Sequence, residues 1–339
     1  MKPIKFPELE QLERVIAAFG DRATTQIIDR IQHKHLNFPI YSISIGSKAP
    51  DAPVLAFFGG VHGLEKIGTE VILSYMETLS HLMNWDEEFL ARLEKTRLVF
   101  VPIVNPVGVY LRTRSNGNCV DLMRNAPVEG IGNTRLYSGQ RITPHLPWYR
   151  GDEMQMEKEA LALCDVVDQQ LFNSPLSIAV DLHSGFGMRD YLWFPYASRR
   201  TPFPFSAESL ALKEQFDRSY PHHIYTIEPM CREYVINGDL WDYLVDDFSQ
   251  RTNVGQVFLP LTLEMGSWLW LRKSPLHMFY RYGLFHPLLP HRLHRVFRRH
   301  LTLFDFLHRS LLSPDQWAFL DAASKQRYQE KANGLWYAD

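Results

Sequence analysis

The sequence predicts an α/β fold, a single domain built on a twisted sheet flanked by helices. Apolar runs of strand length at residues 54–58, 176–180 and 257–263 each give way to a cluster of polar residues and glycine, as buried strands do where they empty into loops. Helical periods fall between these runs, over residues 67–83 and 154–172. Strands and helices alternating at this spacing are what a layered α/β sheet requires.

Taken in order, residues 8–35 read as helical, with Leu9, Leu12, Val15, Ile16 and Phe19 on a helical period, and residues 39–48 alternate like a strand. The run 54–58 is the first buried strand, 67–83 an amphipathic helix, and 98–103 a strand ending at Asn105-Pro106. Helix 154–172 leads into the strand before His183. A helical pattern opens near residue 290 and continues through Leu301, Phe304 and Leu307. Its first turns are a basic cluster with Leu293, Val296 and Phe297 on one face, read as the solvated side of a core-packed helix. Prolines gather around 195–205 and 285–290, which predicts long ordered loops. With no repeat and no low-complexity linker, residues 1–311 form the main domain. Residues 312–339, carrying Trp317, Phe319, Tyr328 and Trp336, form a helical C-terminal appendage packed on it.

Three loops carry chemistry. The first strand breaks at Gly59-Gly60 and is followed by His62 and Glu65, an imidazole and a carboxylate at the C-terminal end of a buried strand, where open α/β sheets bind ligands. Both groups ligate zinc, and two of them supply most of the three-ligand set that leaves a catalytic zinc one open position. The pair alone is short and unspecific, since such residues also cap helices. The second strand repeats the arrangement in Asp181-Leu182-His183-Ser184-Gly185, and two such histidines can converge across a sheet. The third ends in Glu264-Met265-Gly266, a carboxylate costly to bury unless something pairs with it or uses it.

Between the first two loops lie Val104-Asn105-Pro106-Val107-Gly108 and Arg114-Ser115-Asn116-Gly117-Asn118-Cys119-Val120-Asp121-Leu122-Met123-Arg124-Asn125. These blocks, in order with His62, Glu65, His183 and Glu264, resemble the zinc carboxypeptidases of the M14 (carboxypeptidase A) type. The likeness covers about residues 40–275 and is closest in style to a short bacterial branch that includes murein-peptide amidases. It implies a central mixed, mostly parallel sheet and one zinc ion per chain on His62, Glu65 and His183, the His₂Glu set of carboxypeptidase A. By the same resemblance Glu264 is the general base for a zinc-activated water, and Arg114 polarises the scissile carbonyl and stabilises the oxyanion. Arg124 grips a terminal carboxylate through its planar fork. Tyr234, four residues ahead of Gly238, matches the mobile tyrosine that closes over substrate.

The chain departs from the pattern twice. Met123 stands where the family has an asparagine that donates to the terminal carboxylate, and a thioether is only a weak acceptor. Cys119 stands where glycine is usual. If Met123 faces the substrate, removal of a free C-terminal amino acid is in doubt and amidase or deacylase chemistry gains. If it faces the core, Arg112 or a backbone N–H supplies the donor instead.

Composition sets outer bounds. A length of 339 residues allows a large core, and a net charge of −2 gives no sign of a nucleic-acid or membrane partner. The first eight residues lack an apolar core segment, so neither a signal peptide nor a membrane span is expected. Cys119, Cys164 and Cys231, odd in number and widely spaced, fit a reducing, cytoplasmic compartment. The expected partner is a peptide or amide substrate, and the oligomeric state is open. Two other readings stand beside a zinc metallopeptidase: a zinc deacylase or esterase on a small acylated amino acid, like aspartoacylase and succinylglutamate desuccinylase, and a catalytically silent binding protein.

Overall fold

The computed structural model describes residues 5–338 except 133, 252–254 and 281–282. Helix α1 (Pro7–Phe19) buries Leu12, Val15 and Phe19 and stops at Gly20, whose φ of 55° lies in the left-handed region that glycine tolerates. Here the structure corrects the expected helix over 8–35: residues 23–33 are strand β1 (Ala23–His33). The helical period ends at Phe19, and the following Thr24, Thr25, Ile27 and Ile28 are β-branched side chains that pack well on a pleated surface. Strand β1 pairs antiparallel with β2 (Leu36–Gly46), and this pairing outweighs local helix propensity.

The expected strands and helices appear as β3 (Val54–Gly59), α2 (Lys66–Leu82), β4 (Arg97–Val101), α5 (Lys158–Gln170) and β5 (Leu176–Ser184), and two short helices that the sequence reading did not foresee, α3 (Glu87–Leu93) and α4 (Pro106–Leu111), flank β4. After these come β6 (Asp190–Phe194), α6 (Ser206–Ser219), β7 (Tyr225–Pro229), α7 (Leu240–Gln250), β8 (Val257–Met265), α8 (Trp268–Lys273), α9 (Pro290–Ser310) and α10 (Ala322–Ala332). The strands form one eight-stranded mixed sheet in the order β1-β2-β4-β3-β5-β8-β6-β7. Its centre, β4-β3-β5-β8, is parallel throughout.

Helices cover both faces of this centre, which is why its strands are continuous apolar runs. Successive residues of β3 face opposite layers: Phe57 meets Tyr75 of α2 and Phe304 of α9, while Phe58 meets Trp241 of α7. Each such fully buried ring contributes roughly 1.5–3 kcal/mol of transfer free energy. The C-terminal segment lies along α6, where Gln329 donates to the Ser206 hydroxyl and Lys325 pairs with Glu208. Trp336 packs on Phe194 with ring centroids 4.8 Å apart. Because β3, β5 and β8 are parallel neighbours, their C-terminal ends lie side by side, and the register sets His183 opposite Glu264.

Candidate metal centre and its cleft

Gly59 and Gly60 end β3, and the loop beyond them carries His62 before the chain enters α2 at Glu65. The Asn105-Pro106-Val107-Gly108 block holds this loop. The Asn105 side chain accepts from the Gly108 N–H at 2.8 Å, capping α4, and donates to the Val61 carbonyl at 3.1 Å. Gly63 lies against Gly108 so closely that any Cβ would sit 1.9 Å from the Gly108 carbonyl carbon. His183 comes from the end of β5 and Glu264 from the end of β8.

His62, Glu65 and His183 are buried, and their ligand atoms all lie within 4.8 Å of one another. The two imidazoles present the same nitrogen: His62 Nδ1 is 2.9 Å from Glu65 Oε1 and His183 Nδ1 is 3.0 Å from Glu65 Oε2. On the far side each Nε2 meets a carboxylate, Asp121 at 2.9 Å for His62 and Asp181 at 2.8 Å for His183. Carboxylates bound to the outer nitrogen fix the tautomer and ring orientation of metal-ligating histidines, so the three side chains fit a zinc ion in ligand type, convergence and bracing. The Ser184 N–H also donates to Glu65 Oε2.

The charges in this cluster depend on one another. Burial works against ionised Glu65, but His62 and His183 outweigh it and hold the carboxyl well below its usual range. Burial likewise opposes protonated His183, and Asp181 and Glu65 raise it well above an ordinary histidine. A cation held by Glu65 and the two imidazoles would take the place of that proton. Asp121 is held low against burial by Arg114, His62 and Arg124. Glu264 goes the other way, pushed up to about 8, first by burial and then by the negative charge of Glu65. Its Oε1 accepts from the Phe186 N–H at 2.8 Å. A divalent cation held by Glu65 would oppose the second of these causes.

A cleft of about 500 Å³ opens over the cluster. Arg114 lies at its edge, its Nε donating to Asp121 at 2.8 Å and its Nη1 to Glu65 at 3.1 Å. Arg124 is buried in the wall, with Nη1 on the Met123 carbonyl and a buried Nε that has no partner among the described residues. Met123 lines the cleft, whereas Arg112 turns to Glu8 at 2.9 Å and does not. Tyr234 stands in the wall among Phe186, Trp193 and Tyr137, its hydroxyl pushed up to about 12, chiefly by burial. Gly238, at φ 73°, touches the Arg124 carbonyl so closely that a Cβ there would sit 1.9 Å from it. The structure thus brings together all eight residues singled out in the sequence.

Sequence reasoning gave no role to four further side chains. Asp181 had a legible signal, because residues two apart on a strand share a face. Asp121 lay inside a quoted block without a task. Trp241 Nε1 donates to Asp181 at 3.0 Å, and Arg150 braces the backbone at Arg124 and Val128; neither carries a local signal. Cys119 adopts φ 64°, the backbone region in which glycine is at ease.

Comparison with known proteins agrees. The zinc carboxypeptidase family matches residues 28–266. The human carboxypeptidase N catalytic chain is 27% identical over 268 residues, covering 69% of this chain and 56% of its own length. Carboxypeptidase E of Caenorhabditis elegans is 28% identical over 165 residues, covering 44% of this chain and 34% of its own. This chain spans about half the length of the first such relatives. Among solved structures, bovine thrombin-activatable fibrinolysis inhibitor in complex with tick carboxypeptidase inhibitor superposes with a TM-score of 0.67 at 15% identity, covering 91% of this chain and 97% of that one. Carboxypeptidase A from Helicoverpa armigera gives 0.61 at 15% identity, with 89% and 71% covered. With a family match over more than two thirds of its length, this chain belongs to the zinc carboxypeptidase family.

Proposed function

We propose that the protein is a zinc-dependent metallopeptidase that hydrolyses a peptide or amide bond in the cleft over His62, Glu65 and His183. The observation that carries this reading is the convergence of His62 Nδ1, Glu65 and His183 Nδ1, with Glu264 beside them. When bound, zinc supplies a Lewis acid that polarises a carbonyl and makes a coordinated water acidic near neutrality. Asp121 and Asp181 hold the two imidazoles in the ligating tautomer. Glu264, fixed by the Phe186 N–H, takes a proton from the attacking water and returns it to the leaving amine. Arg114, already oriented by Asp121 and Glu65, faces the carbonyl oxygen as charge develops on it. Arg124 takes a carboxylate or another acceptor on the substrate, and Tyr234 closes the aromatic wall.

Met123 in the cleft favours an amide or otherwise modified substrate over a free C-terminal amino acid, since the wall there is apolar and adaptable. The same feature keeps a deacylase of small acylated amino acids as the second reading. A panel of free-acid peptides, peptide amides and acyl amino acids, run with zinc-loaded protein, separates the two. Glu264→Gln is the control: it retains zinc and loses activity by about 10²-fold or more. Loss of zinc together with activity would make Glu264 a ligand or a folding residue instead.

A further inference from the structure

We propose that residues 322–337 are a clasp that positions the cleft wall at residues 230–236, with Trp336 and Arg232 as its positioning residues. Its kinetic consequence rests on the hydrolytic reading of the cleft, and its structural consequence does not. The clasp lies outside residues 28–266, the stretch that matches the zinc carboxypeptidase family. Met230, Glu233, Tyr234 and Ile236 all line the cleft. They follow directly on β7, the outermost strand of the sheet, so the chain that carries them leaves the sheet with a strand neighbour on one side only. Its backbone bonds reach back to the chain after β6: the Cys231 N–H donates to the Tyr196 carbonyl at 3.0 Å, and the Ile236 N–H to the Ala197 carbonyl at 3.1 Å. The wall therefore stands where residues 194–203 put it.

That stretch is where the C-terminal segment grips. Beyond α10 the chain makes one wide turn, Asn333–Tyr337, closed by the Ala338 N–H on the Asn333 carbonyl at 2.9 Å. Buried Trp336 sets its ring edge-on against Phe194 at 4.8 Å, and the Tyr337 hydroxyl accepts from the Phe203 N–H at 3.2 Å. From the same turn the Leu335 carbonyl accepts from Arg232 Nη1 at 2.6 Å, a direct tie to the wall itself. Neighbours on β6 face opposite layers: Phe194 meets the turn, while Trp193 lines the cleft with its ring 6.2 Å from that of Tyr234. One strand thus separates the clasp from the substrate wall. Helix α10 is in turn fixed on α6, where Gln329 donates to Ser206 at 2.8 Å and Lys325 meets buried Glu208 at 2.7 Å. The candidate metal ligands stand elsewhere, beyond β3 and at the end of β5, so the clasp acts on what the wall touches and leaves the metal cluster in place.

The test is amide hydrogen exchange on the full chain, read together with kinetics. Trp336→Ala removes the ring. Arg232→Ala removes the direct tie at an exposed position, so it should melt like the wild type even if Trp336→Ala does not. Each should speed exchange at the Cys231 and Ile236 amides at least about tenfold while the amides of β5 keep their protection. Trp336→Phe, which keeps a ring against Phe194, should restore most of that protection. With zinc-loaded protein and the panel of peptides, amides and acyl amino acids, Arg232→Ala should raise KM about fivefold with kcat and zinc affinity little changed, the mark of lost binding rather than lost chemistry. The clasp is overturned if both alanine variants exchange like the wild type, if protection is lost equally in β5, or if Trp336→Phe behaves like Trp336→Ala. An unchanged KM would also overturn it. A wild type that turns over nothing in the panel overturns the hydrolytic reading instead, and the exchange data still decide the clasp.

Discussion

Asp181 and His183 lie two residues apart on one face of β5, and Asp181 Oδ2 is 2.8 Å from His183 Nε2. Trp241 donates to the same oxygen at 3.0 Å, so the brace is itself held in place from α7. Asp181→Asn keeps the size and an acceptor but removes the charge that favours an Nε2–H imidazole. Zinc affinity should fall about 10- to 100-fold while the fold is retained. Chelator competition measures this, and an unchanged affinity would mean that the brace does not tune the ligand.

Met123 is the natural position at which to reverse substrate preference. Restoring a donor with Met123→Asn should improve kcat/KM for a free-acid peptide relative to its C-terminal amide by about 1–3 kcal/mol, the scale of a hydrogen bond to a charged group. Equal ratios in wild type and variant would show that position 123 does not meet the carboxylate.

Acid should destabilise the protein through α9. His308 is buried, its Nε2 2.8 Å from Thr96 Oγ1, whose own proton goes to the Arg92 carbonyl. Burial, with a smaller push from Arg92, brings its pKa down to about 4. The unfolded chain, with an ordinary value near 6.5, therefore binds more protons between about pH 4 and 6.5, and stability drops as pH falls through that window. The full effect is on the order of 3 kcal/mol. In urea titrations at pH 7 and about pH 4.5, His308→Gln, which can still donate to Thr96, should lose less stability than the wild type. Parallel losses in the two proteins would sink the assignment.

The sequence made the site legible because its chemistry sits where apolar runs end, so His62, Glu65, His183 and Glu264 announce themselves by interrupting buried strands. The same reading failed at residues 20–35. There β1 is an edge strand with much of its surface exposed, and it lacks the apolar run that marks a central strand. Asp121 and Arg150 act over distances that sequence spacing does not encode. Their partners, His62 and the backbone near Arg124, are brought to them by loop packing such as the Gly63–Gly108 contact.

Strand β5 carries the candidate ligand His183, the carboxylate that braces its imidazole and the N–H that holds Glu65, all at positions set by its hydrogen-bonded register with β3 and β8. Because side chains alternate along a strand, a slip of one residue would present Leu182 where His183 belongs and turn Asp181 to the opposite layer. Both layers are buried, so hydrophobicity alone penalises that slip less than it would in a half-exposed strand. Zinc held by these residues would discriminate where packing is lenient, since only the native pairing brings the three donors together. The ion would then proofread the sheet, and its binding energy would be drawn on during folding before any substrate arrives.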